Sequence, residues 1–253
     1  MNRQIELIIE RATEGEQLFI DTLEQIRKNK DIEEWLNVAN AYYQKGNYDQ
    51  ADEWFSLAAE QGSGTAALYL GDIYGDKENY SEAAKWYLFA AERGEHLAQF
   101  NLGAFYGEGL GVEQDFVEAV KWYRLAAESG YWPAHFNLAI AYQRGDGVKR
   151  DYTEALHWFR FPAKMANAEA QCYIGAYYYW GVEGIPQDYA EAVKWFRQAA
   201  KLGNAVGQYW LGRCYSQGKG VKVDRTEAAK WYRLAAEQGL AEAIKALKEL
   251  DKE

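Results

Sequence analysis

Cysteine and histidine are scarce in this chain, basic residues are outnumbered, and no long apolar run interrupts it. The two cysteines, Cys172 and Cys214, stand 42 residues apart. They fall in different repeats at helix positions that do not correspond, which predicts two buried thiols in a reducing cytosol, where cysteine behaves as a small hydrophobe. The three histidines, His96, His135 and His157, have no cysteine or second histidine at ligand spacing, so no metal site is expected. GxSxG, HExxH, CxxC and P-loop patterns are all missing, which leaves no catalytic residues and no cofactor to expect. With 28 Lys and Arg against 38 Asp and Glu, the formal charge is −10. Phosphate neutralisation needs clustered cations, so nucleic acid is disfavoured, as is an anionic membrane surface. A basic protein surface is the better electrostatic match. No segment approaches the roughly 20 apolar residues that span a bilayer, and Met1-Asn2-Arg3-Gln4-Ile5-Glu6 lacks the uninterrupted apolar run of a signal peptide. A cytoplasmic protein without membrane insertion is expected.

What the chain has in plenty is aromatic residues, at 16%, and they recur. Trp54, Trp86, Trp122, Trp158, Trp195 and Trp231 follow one another at steps of 32, 36, 36, 37 and 36 residues. Self-similarity at this period marks a stacked repeat array. Around the third tryptophan the stretch reads Lys121-Trp122-Tyr123-Arg124-Leu125-Ala126-Ala127-Glu128-Ser129-Gly130. Ala119, Trp122, Tyr123 and Ala126 share a helical face. The repeated stretch is therefore a packing stripe on the second helix of each unit rather than a recognition motif.

Local chemistry punctuates each unit. Gly62, Gly94, Gly130, Gly203 and Gly239 stand where second helices end, as left-handed caps. From residue 96 onward the turn within each unit lengthens and carries a glycine pair: Gly109 and Gly111, Gly145 and Gly147, Gly181 and Gly184, Gly218 and Gly220. These predict positive φ in the loop, not a phosphate cradle. Next come Asp115/Glu118, Asp151/Glu154, Asp188/Glu191 and Asp224/Glu227, spaced as capping boxes, with Asn47/Gln50 and Asn79/Glu82 in the same positions of the two compact units. Leu102, Gly103 and Tyr106 pack from the first helix, Gly103 permitting close approach.

The shared pattern, AxxxLGxxYxxGxGVxxDxxEAxKWYRxAAxxG, resembles that of the Sel-one-like repeat family, relatives of the tetratricopeptide repeats. The resemblance covers about residues 32 to 239. It implies an all-α, right-handed α-solenoid of stacked antiparallel helix pairs, with a bacterial leaning. The expected organisation is an N-terminal capping helix at 1–30, two compact tetratricopeptide-like repeats at 31–94, four Sel-one-like repeats at 95–239, and a C-terminal capping helix at 240–253. Residues 2 to 29 read as one helix, interruptible at Gly15, with Ile5, Ile8, Ile9, Ala12, Leu18, Phe19, Leu23 and Ile26 on its apolar face. Pro162 stands where the other units have alanine and Ala166 where they have glycine. Either this bends the array locally, or Asn167 absorbs it as a shifted cap.

A scaffold without a catalytic constellation points to binding. First helices of such arrays line the concave surface. Counting from the packing leucine places Asn37, Asn40, Tyr69, Asp72, Asn101, Asn137, Arg144, Tyr173, Trp180, Trp210 and Arg213 on it as partner contacts, and Tyr179 joins them as part of the aromatic patch beside Trp180. The amino-terminal half offers Asn37, Asn40, Asp72 and Asn101, whereas the carboxy-terminal half offers Tyr173, Tyr179, Trp180, Trp210 and Arg213, the types enriched at hot spots. The carboxylate clamp of tetratricopeptide repeats is only half present, since Asn37, Asn40 and Asn101 lack the accompanying lysines. The expected function is a protein interaction scaffold or adaptor that holds a protein or peptide. The alternatives are an immunity protein neutralising a basic toxin enzyme and, further off, a hydrolase-like activity on carbohydrate, for which paired carboxylates are missing.

Overall fold

The computed structural model describes residues 2–250, and its named elements are all helices, fifteen in number. The chain divides into two compact units between Ser129 and Gly130. The first holds α1 (Asn2–Thr13), α2 (Gln17–Asn29), α3 (Ile32–Gln44), α4 (Tyr48–Glu60), α5 (Gly64–Asp76), α6 (Tyr80–Ala91), α7 (His96–Glu108) and α8 (Phe116–Glu128). The second holds α9 (Trp132–Arg144), α10 (Tyr152–Lys164), α11 (Ala168–Trp180), α12 (Tyr189–Lys201), α13 (Ala205–Gln217), α14 (Arg225–Glu237) and α15 (Ala241–Leu250). From α3 onward odd-numbered helices are the first helices of pairs, each packed on the helix that follows, with α15 closing on α14. First helices also meet one another, α5 with α7 and α11 with α13.

The expected N-terminal helix is two helices. Gly15, at φ 85°, turns the chain between α1 and α2, and the helical register restarts there. Ile5 and Ile9 are buried from α1. Leu18 rotates outward and is 73% exposed, so it does not belong to the apolar face assigned to it. No residue of α2 is fully buried.

Side-chain capping holds where aspartate was read, and its reciprocal half is absent. Asp115, Asp151, Asp188 and Asp224 accept from backbone amides of the first turns of α8, α10, α12 and α14. Their own amides donate to Tyr106, Tyr142, Tyr178 and Tyr215 carbonyls at the ends of the first helices, at 2.8–3.1 Å. The glutamates are thereby free to bond elsewhere. Glu118, Glu191 and Glu227 receive Lys121, Lys194 and Lys230, and Glu191 and Glu227 also accept from the indoles of Trp195 and Trp231. Asn47 and Asn79 occupy N-cap positions without a side-chain bond.

Packing between consecutive pairs uses a device not visible in the motif. Gln99, Gln171 and Gln208 are buried, and each donates its amide to a last-turn carbonyl of the preceding helix: Ala91 at 3.2 Å, Ala163 at 2.9 Å and Ala200 at 3.4 Å. Such carbonyls have no partner inside their own helix.

The loop glycines do more than turn the chain. Gly111, at φ 66°, lies so close to the start of α6 that a Cβ would fall on the Tyr80–Ser81 backbone. Gly220 meets the Tyr189–Ala190 backbone at the start of α12, and Gly184 meets Thr153 in α10. These three loops are clasps on the preceding pair.

α10 runs its 13 residues through Pro162, the same length as its neighbours α9 and α11. Its end keeps the bonds of the glycine-capped helices, with the Asn167 amide on the Pro162 carbonyl at 3.0 Å and the Ala166 amide on the Ala163 carbonyl at 3.2 Å. Ala166 takes φ 61° in place of glycine, while Asn167 caps the start of α11. A non-glycine residue in this region costs about 1–2 kcal/mol. Ala166→Gly is therefore expected to stabilise the chain by roughly 0.5–1 kcal/mol, net of the entropy glycine adds to the unfolded chain, as read by urea denaturation.

Candidate functional site

The first-helix positions sort by the residue 14 places before them, on the preceding second helix. Where that residue is phenylalanine the first helix offers an aromatic ring, and the two stack: Phe55 on Tyr69 at 4.8 Å and 9°, Phe159 on Tyr173 at 4.8 Å and 9°, Phe196 on Trp210 at 5.9 Å and 15°. Where it is tyrosine the first helix offers asparagine, as with Tyr87 and Asn101, which share a hydrogen bond. Tyr123 and Asn137 repeat these identities at the same spacing. Tyr69, Tyr173 and Trp210 therefore each give one ring face to packing, with part of the side chain left accessible.

In the first unit Asn37, Asn40, Tyr69, Asp72 and Asn101 are all half-buried. Asp72 is tied inward, accepting from the Tyr87 hydroxyl at 2.8 Å. Burial raises its carboxyl pKa above the ordinary value, the Tyr87 bond opposes this, and Asp76 adds to the rise. Burial and Asp72 in turn push the Tyr87 phenol far up. The sign for stability follows: a carboxyl raised on folding disfavours the folded state once ionised, so the deficit is absent below about pH 3.8 and grows as pH rises through the folded value. Asp72→Asn keeps an acceptor for Tyr87. It is expected to be more stable than the parent at pH 7 by a few tenths to about 1 kcal/mol. In urea titrations the gap should close as pH falls below 3.8.

In the second unit the residues converge. Tyr173 and Trp210 line an open pocket of about 380 Å³ between α11 and α13, with Glu169, Cys172, Ala176, Asn204 and Val206. Trp180, 55% exposed, stands edge-on to Trp210 at 5.7 Å and 86°. The Arg213 guanidinium lies 5.0 Å from the centre of the Trp210 ring. Arg144 is exposed at the end of α9. The Tyr173 phenol is raised by burial and then by Glu169, with Arg144 acting against them. Asn137, on α9, is half-buried.

Tyr179 must be withdrawn from the surface set. It is fully buried, ringed by Trp180, Tyr189, Phe196 and Trp210. Its hydroxyl donates to Gln217 Oε1 at 3.3 Å and accepts from Lys219 Nζ at 3.1 Å. Successive helical residues point about 100° apart, so when Trp180 faces out Tyr179 faces in. Glu169, Cys172, Asn204 and Val206 were not anticipated. They sit on the opening turns of α11 and α13 or just before, ahead of the rows counted from the packing leucine. The Cys172 thiol donates to Asn204 Oδ1 at 3.3 Å, and burial pushes its pKa up to about 12. Both cysteines are buried and free. Among the described residues no group of three potential ligands could hold a metal ion, and no helix is long and apolar enough to cross a membrane.

The chain matches the model of the Sel1 repeat six times, at residues 37–63, 64–95, 96–131, 132–164, 168–204 and 205–240. The compact units are thus matched along with the long ones. Among curated proteins nothing matches. Among solved structures, a Sel1 repeat protein from Oxalobacter formigenes is 33% identical, with a TM-score of 0.79 over 86% of this chain and 91% of that one. A protective antigen of uropathogenic Escherichia coli strains with an SLR fold, c5321, is 28% identical, with a TM-score of 0.62 over 99% of this chain and 64% of that one. The C-terminal part of a TPR repeat-containing protein from Cytophaga hutchinsonii shares the fold at 16% identity, with a TM-score of 0.60 over 98% of this chain and 99% of that one.

Proposed function

Because the chain belongs to the Sel1 repeat family, a repeat fold built for holding protein partners, we propose that it is a binding scaffold that takes a protein segment on the first helices of its second unit. The observation that carries this reading is the open pocket between α11 and α13 with the exposed Trp180 beside it. Aromatic side chains and arginine supply large contact area at small entropic cost and dominate binding hot spots. The role is one of binding, with no catalytic step. The unpaired, buried Cys172 and Cys214 suit a reducing compartment, and we place the protein in the cytoplasm.

A second reading rests on the first unit, where α3, α5 and α7 carry Glu33, Glu34, Asp72, Asp76 and Glu108 and no Lys or Arg. That face suits a basic partner, as an inhibitor of a cationic toxin enzyme would require, and association with it would slow steeply at high ionic strength.

The leading reading is tested by affinity capture with the wild type beside a Trp180→Ala, Arg213→Glu double variant, which spares the Trp210 stack. Loss of the captured partner at an unchanged circular-dichroism melt supports it. Retention of every partner by the folded double variant rejects it.

A further inference from the structure

Net charge pointed to a basic partner, yet the charges on the face of the second unit have the opposite sign. Across α9, α11 and α13 the first helices carry Arg144 and Arg213 against Glu169 alone. Neither arginine forms an ion pair among the described residues, whereas the lysines of the second helices, Lys121, Lys194 and Lys230, are each paired with a glutamate one turn away. Arg213 is nonetheless held in place, its guanidinium 5.0 Å from the Trp210 ring centre. A guanidinium stacked on an indole loses little further freedom when it binds, and its planar fork of donors matches a carboxylate in two-point geometry. Lys219, just beyond α13, adds a further cation, resting 4.8 Å from the Tyr179 ring centre and 5.0 Å from that of Tyr189.

The pocket also has a direction. Glu169 and Val206 line it from the opening turns of α11 and α13, Tyr173 and Trp210 from their middles. Arg213 and Trp180 follow toward the helix ends. An acidic group approaching this strip is repelled at the Glu169 end and drawn to the Arg213 end, where Arg213 also borders a pocket toward α15 with Arg225 and Lys245 against Glu242 and Glu249, and an apolar wall lies between.

Resting on the proposed docking role, we infer that the segment bound here is acidic: an extended stretch of a partner protein with an apolar side chain seated between Tyr173 and Trp210 and a carboxylate on Arg213. The aromatic faces near this end already hold cations of the chain itself, Arg213 on Trp210 and Lys219 on Tyr179. A lysine or arginine brought by the partner would meet like charge there.

The test is selection of a displayed library of random dodecapeptides on the full chain, followed by fluorescence anisotropy of enriched peptides. Enriched sequences are expected to combine Asp or Glu with an apolar residue. Arg213→Glu should weaken them at least tenfold and Arg213→Gln several-fold, with Arg233→Glu on the exposed side of α14 as an unchanged control. Raising the salt should weaken wild-type binding and leave the residual binding of Arg213→Glu nearly flat. Enrichment of basic or uncharged peptides that still lose affinity in Trp180→Ala overturns the acidic assignment and leaves docking on this face standing. Acidic peptides that bind both Arg213 variants as tightly as the wild type overturn the placement. Failure to enrich any peptide overturns both the inference and the linear-segment docking beneath it.

Discussion

Gly111→Ala is expected to destabilise the first unit by about 2–5 kcal/mol, a large fraction of what a domain of this size has to lose. Two costs combine. The left-handed conformation at φ 66° is disfavoured for any residue with a Cβ by about 1–2 kcal/mol. The added carbon also falls on the Tyr80–Ser81 backbone, and overpacking of this kind costs about 1–3 kcal/mol. Because the obstacle is backbone at a helix start, no side chain can swing aside to relieve it. Gly130→Ala is the matched control: its φ of 86° is equally left-handed, but nothing lies within 4 Å of its Cβ position. It should cost only the conformational share, about 1–2 kcal/mol. Urea denaturation of the two variants beside the parent measures the difference, and equal losses would show that the clasp contributes nothing.

Tyr179→Ala and Trp180→Ala, adjacent in sequence, should separate stability from binding. Tyr179 has no exposed surface and is the meeting point of four other rings, so truncation to alanine is expected to cost about 3–5 kcal/mol. Tyr179→Phe removes only the bond to Gln217 and the one from Lys219, with a loss of about 1 kcal/mol. Trp180→Ala, more than half exposed, should fall within about 1 kcal/mol of the parent in stability while lowering affinity for the segment bound beside Trp210. Thermal melts and anisotropy on the same three variants check both halves. A Trp180→Ala chain that melts as early as Tyr179→Ala would place the exposed indole in the fold rather than in the site.

The parts of this molecule that were legible in its sequence are those settled within a dozen residues. Helix pairs follow from the tryptophan period. The left-handed glycines ending the second helices follow from their place after the last alanine pair, and the aspartate caps from their place before the next helix. What could not be read depends on neighbours in space. The second half of the capping box failed because the amides of Asp115 and its equivalents are claimed by the end of the first helix, a partner that spacing alone does not reveal. Tyr179 was misplaced by a single step, although a signal existed: its equivalents Gly107, Gln143 and Ser216 are small or polar, and all are half-buried. Gln143 accepts from the Tyr177 hydroxyl at 2.6 Å, so this row faces neighbouring helices rather than solvent. The alternation of Phe with an aromatic ring and Tyr with asparagine, 14 residues apart, was likewise present in the letters. It becomes readable only once the two positions are known to touch.

The glycine clasps also impose an order in time. Gly111 reaches back to the start of α6, Gly184 to α10 and Gly220 to α12; in each case the later pair completes the earlier one. During synthesis from the amino terminus, each of these second helices emerges before the loop that will cover its start, and waits for roughly one more repeat to leave the ribosome. A chain stopped between residues 201 and 220 would leave the start of α12 uncovered, while the starts of α6 and α10 would already be closed. A fragment begun late would instead present a loop bent for a surface that is not there. Loss of material from the two ends is therefore not equivalent, and trimming the array from its carboxy terminus, pair by pair, is the gentler direction.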